Sequence, residues 1–68
     1  MDPRNALIAA HDEGAELYRS GVPLKRLVHH ATENSAVFKQ CLLVMPTAWV
    51  ERCLRDGWLS EDAYCSDS

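Results

Sequence analysis

The stretch Ala36 to Val50, AVFKQCLLVMPTAWV, constrains the chain more than any other. Eleven of its fifteen residues are apolar and only Lys39 is charged. A segment this apolar has to be covered on most sides, by the rest of the chain or by a second copy. The chain has 68 residues, room for one domain and a modest core. Its hydrophobic fraction of 47% and charged fraction of 25% are those of a folded protein, not a disordered one. Small cores are commonly supplemented by a partner subunit, so a homodimer is expected.

Periodicity does not separate buried helix from buried strand in so apolar a run. Ser35 as a cap, a length near eleven residues and the single polar step Lys39-Gln40 favour a helix over 35–45. Pro46 ends it, because a residue before proline is pushed out of the helical region. Thr47 is then placed to cap a helix over 48–56, with Trp49, Val50, Cys53 and Leu54 inward and Glu51, Arg52 and Arg55 outward. Gly57 reads as its C-terminal glycine, with Trp58 folding back and Ser60 opening a short turn through Tyr64.

Upstream, Asp2-Pro3 is a helix start, cap followed by first-turn proline. Leu7, Ala10, Gly14, Leu17 and Tyr18 recur at helical spacing, and Gly21 closes a helix over 3–20, with Val22 folding back on Leu17. Pro23 opens a short helix over 23–32 with the apolar stripe Leu24, Leu27, Val28 and Ala31, and Glu33-Asn34-Ser35 forms a turn. The expected fold is therefore all-α, a small bundle of four short helices with a C-terminal turn. One domain spans 1–64, with a polar tail at 65–68. Ser35–Met45 is expected to be the most buried element. Ala10 and Gly14, small residues four apart, make a flat strip that another helix can approach closely; with Leu17 they are the candidate dimer interface.

Chemistry-bearing patterns are sparse. Cys41, Cys53 and Cys65, with His11, His29 and His30, show neither C-x-x-C nor H-x-x-x-H spacing, so no metal or other cofactor is expected. The odd cysteine count and the five-residue apolar run Ala6 to Ala10, too short for a secretory segment, predict reduced thiols in the cytoplasm. No window approaches the roughly 18 apolar residues of a membrane span. There is no nucleophile elbow and no Gly-rich phosphate loop, so an enzyme is not expected.

Charge is unevenly distributed within the net −3. Residues 1–20 carry −2 (Asp2, Asp12, Glu13, Glu16 against Arg4, Arg19), 21–40 carry +2 (Lys25, Arg26, Lys39 against Glu33), and 51–68 carry −3. The basic middle places Lys25, Arg26, His29 and His30 on one side of the second helix, a surface for an acidic partner that protonation of the histidines would strengthen. Trp49 and Trp58, of the residue type that dominates interfaces, complete the candidate partner-binding set. The expected function is that of a small non-enzymatic regulator or adaptor that binds, and can inhibit, another protein. Chains of this kind include those encoded by phages and mobile elements. The alternative is a dimeric helix-turn-helix DNA-binding regulator formed by residues 24–44. It ranks lower because Lys39 and Gln40 are the only polar residues on its recognition helix and the acidic flanks repel phosphate.

Overall fold

The computed structural model describes residues 2–66 and is built of four α-helices: α1 Pro3–Arg19, α2 Leu27–Asn34, α3 Ala36–Val44 and α4 Thr47–Ser66. A 3-10 turn, Leu24–Arg26, leads into α2. Among the described residues there is no strand, and no helix is long and apolar enough to cross a membrane.

The local stop and start signals act as the sequence implies. Asp2 caps α1, its carboxylate accepting the Arg4 N–H at 2.8 Å, with Pro3 in the first turn. Gly21 takes φ +88, the Gly21 N–H donates to the Tyr18 carbonyl and the Val22 N–H to the Leu17 carbonyl, both at 3.0 Å. These two bonds are the Schellman pattern and satisfy carbonyls the helix end would otherwise leave open. Ser35 is the one residue between α2 and α3, and its hydroxyl accepts the Phe38 N–H at 3.0 Å. Glu33 and Asn34, expected in a turn, belong to α2 instead. Met45 is extended (φ −134, ψ 151) ahead of Pro46, as proline requires.

Three expectations are corrected. First, α4 does not stop at Gly57; it continues for 20 residues to Ser66, so the corner expected around Trp58 and Ser60 is continuous helix. Cys65 and Ser66, expected in a polar tail, are in α4, and residues 67–68 lie outside the described residues. Gly57 serves close packing, not a turn: a Cβ there would collide with the backbone carbonyl of His11. Second, the most apolar helix is not the most buried. In α3 only Phe38 and Cys41 are buried, while Leu43 is 84% and Val37 39% exposed. A nine-residue helix docked on one side offers the core a single stripe. Third, Trp49 points outward, 57% exposed, and Val50 takes the inward position beside it.

The centre of the molecule is the α1–α4 pair. A Cβ at Gly14 would overlap the Leu54 carbonyl and sit 2.9 Å from the Trp58 nitrogen, and Gly57 meets His11 in the same manner. Each glycine thus turns a Cα hydrogen toward a carbonyl of the opposite helix, a reciprocal pair of weak hydrogen bonds. Contacts advance together along both helices, His11 with Gly57, Gly14 with Trp58 and Arg19 with Glu61, so α1 and α4 run parallel. The turn, α2 and α3 form the crossover between them. Val37 lies along Ala9–Glu16 and the Cys41 thiol reaches the Ala6 carbonyl at 3.1 Å, so α3 runs antiparallel to α1.

The strip Ala10, Gly14 and Leu17, expected to receive a second subunit, is buried within the same chain, with Gly14 against α4. With Ala6, Leu27, Ala31, Phe38, Cys41, Val50 and Leu54 it closes one core. The Cα radius of gyration is 11.1 Å, close to the roughly 11 Å of a compact domain of this length. The core is therefore covered without a second copy.

Helix propensity alone would make Gly14→Ala and Gly57→Ala stabilising by about 1 kcal/mol. Overpacking against backbone costs about 1–3 kcal/mol and dominates here. Both variants are expected to lower the thermal midpoint by several degrees, at about 4–8 °C per kcal/mol for a domain this small. A raised midpoint in either would mean that the helices do not touch there.

Candidate partner-binding site

The expected basic surface forms around the α1–α2 connection, residues 20–23. The Schellman bonds fix one end of this connection. Trp58 fixes the other: its indole Nε1–H donates to the Val22 carbonyl at 2.7 Å, and its ring meets Tyr18 edge-on, centroids 5.0 Å apart and planes at 82°. Aromatic pairs favour this geometry, and an indole N–H that is partly buried needs such an acceptor. Pro23 then sends the chain extended (ψ 152) into the 3-10 turn, whose first bond runs from the Arg26 N–H to the Pro23 carbonyl.

An open groove of about 300 Å³ results, with Val22 and Pro23 on one wall and Arg26, His29 and His30 on the other. Glu33 and Asn34 close its far end. Lys25 is exposed beside it without lining it. Of the four residues expected on that side, Arg26, His29 and His30 therefore share one groove, while Lys25 stands at its rim. Arg26 takes part in no ion pair among the described residues, so its charge is available to an anionic group. Glu33 offsets part of that charge and lies where an incoming acidic chain would have to avoid it.

The two tryptophans are not neighbours. Trp58 is half-buried and acts as a clamp within the chain. Trp49 lies on the first turn of α4, level with the start of α1, at the opposite end of the helix pair from the groove. The expected partner-binding set thus separates into a basic groove and a distant aromatic face. Sequence reading missed the groove walls Ser20, Val22 and Pro23, and missed Ile8, which is 60% exposed on α1. Ile8 falls off the apolar stripe of α1, and that displacement was the available signal.

Other side chains have structural roles. Among the described residues no three His, Cys, Asp or Glu side chains converge as metal ligands. Burial pushes the Cys41 and Cys53 thiols above their ordinary pKa. The Tyr18 hydroxyl is also raised, first by its hydrogen bond to the Asp62 carboxylate and then by desolvation. Across the molecule Asp12, Glu13 and Glu16 form an acidic groove with Ala9 and Val37. The α2–α3 corner has a single linking residue, shorter than the three- or four-residue turn of a helix-turn-helix. No family model, curated protein or solved structure matches this chain.

Tyr18, Cys41 and Cys53 are all raised, so the fold favours their neutral forms. Their contribution to stability is whole below the ordinary thiol range and is lost as pH climbs through the folded-state values. Urea midpoints are expected to fall on the alkaline side, from about pH 8.5 upward. The Trp58→Phe variant is expected to lose about 1 kcal/mol and to speed amide exchange in residues 20–23, as measured by NMR. Unchanged exchange there would show that Trp58 does not hold the connection.

Proposed function

We propose that this protein is a small regulator or adaptor that works by binding another protein through the groove beside α2. The observation that carries the reading is the convergence of Arg26, His29 and His30 on one groove with an apolar wall at Val22 and Pro23. That mixture suits an extended or helical segment of a partner carrying both carboxylates and an apolar anchor. Lys25 at the rim adds long-range attraction, which raises the association rate more than the affinity. Occupying such a segment would block whatever else the partner uses it for, and this is the route to inhibition. We place the protein in the cytoplasm and take it to act as a homodimer.

The DNA-binding alternative has less support. The outward side of α3 sets exposed Leu43 and Val37 among Lys39 and Gln40. The acidic groove of α1 runs along that same helix, where it would repel a phosphate backbone.

The test is capture from a lysate of the native host with wild-type protein and with the Lys25→Glu, Arg26→Glu double variant. A partner retained by the first and lost from the second, with the helical circular dichroism of both unchanged, is the expected result. A partner held equally by both would remove the groove from the account. A gel shift at low salt that collapses as salt is raised would move the assignment to DNA.

A further inference from the structure

The basic groove beside α2 adjoins the acidic groove of α1, and we propose that the two bind each other across a two-fold dimer of this chain. The proposal rests on the reading of the basic groove as a partner site and names one occupant for it, the acidic edge of α1 from a second copy. It also supplies the dimer interface that the buried Ala10–Gly14–Leu17 strip does not.

The two grooves share a border. On α1, Ala9, Glu13 and Glu16 recur at helical spacing, and the next position of that row is Ser20. The first three line the acidic groove together with Asp12, and Ser20 lines the basic one. The α2–α3 corner joins them a second time. Asn34 lines the basic groove and Val37 the acidic one, with only Ser35 and Ala36 between them. The surface therefore changes from acidic at Asp12 and Glu13 to basic at Arg26, His29 and His30 without an intervening element.

The grooves match in chemistry. Each sets charge beside an apolar wall, Val22 and Pro23 in the basic groove, Ala9 and the 39% exposed Val37 in the acidic one. Asp12, Glu13 and Arg26 are in no ion pair among the described residues. Glu16, nearest the border, is held by Arg19 at 2.8 Å and brings little net charge there. Glu33 is also near the border. The Lys39 ammonium donates to its backbone carbonyl at 3.4 Å and offsets its charge.

Two adjoining patches of opposite sign are exchanged by a two-fold axis standing between them, perpendicular to the surface they share. One such operation lays the acidic groove of each copy on the basic groove of the other, so both contacts form together, as an isologous interface requires. A wholly acidic partner matches only the basic half of this surface; a second copy matches both halves. The homodimer then screens partners, because a segment gains the basic groove only by displacing the second copy's α1.

Sedimentation velocity at tens of micromolar protein tests this with two variants. Lys25→Glu with Arg26→Glu makes the surface acidic throughout, and Asp12→Lys with Glu13→Lys makes it basic throughout. The wild type is expected to be a dimer whose Kd rises at least about tenfold between roughly 50 mM and 500 mM salt. Each variant alone is expected to be a monomer with unchanged helical circular dichroism, and their equimolar mixture a heterodimer, since mixing restores both contacts. Should a variant lose helicity, dilution of nitrogen-15-labelled wild type reads the same contact: amide shifts in 9–16 and 26–34 are expected to move together. A monomeric wild type would overturn this proposal and the dimeric reading, while the basic groove's part in partner binding still stands or falls on the lysate capture. A dimer that survives in both folded variants, or whose dilution shifts avoid the two grooves, would overturn the interface. Folded monomeric variants that fail to combine would overturn the pairing of unlike grooves.

Discussion

The fold depends on the approach of two backbones. Gly14 lies against the Leu54 carbonyl and Gly57 against that of His11, so α1 and α4 touch without side chains between them. In water such closeness forgoes the burial that larger side chains would provide, and dispersion over a long contact compensates for it. Ala6, Ala10 and Ala31 continue the small-residue theme in the core. The larger residues, Leu27, Phe38, Val50 and Leu54, fill the space where the α2–α3 crossover packs onto the pair.

Everything proposed to interact follows from that pairing. Holding α1 and α4 parallel puts Trp58 under the α1–α2 connection, where it hydrogen-bonds Val22 and meets Tyr18 edge-on. The connection in turn supplies the apolar wall of the basic groove.

Local chemistry was legible in the sequence, and contacts between distant residues were not. Asp2, Gly21, Ser35 and Pro46 mark helix ends by rules that involve only their neighbours, and each mark is where it was expected. Gly57 fits two rules at once, since glycine both ends helices and admits close backbones. Nothing local distinguishes the two, and taking the first cut α4 short. The Ala10–Gly14 strip was recognised as a place of close approach, but its occupant is 40 or more residues away in the same chain. Mistaking the end of α4 also hid the role of Trp58, which on a continuing helix clamps the Val22 carbonyl; Trp49 was misplaced separately, because the inward stripe of the first turns runs through Val50 and Leu54. Arg26, His29 and His30 were legible as a side of a helix; the groove they share needed the path of residues 20–23.

The account stands on the contact between α1 and α4, and a proton NOE experiment on uniformly labelled protein reads it directly. Cross-peaks are expected from the Gly57 Hα protons to His11 and from the Gly14 Hα protons to Leu54 and Trp58, together with unbroken sequential amide contacts from Asp56 through Leu59. Absence of the interhelical peaks, or a break in the amide series at Gly57, would contradict it.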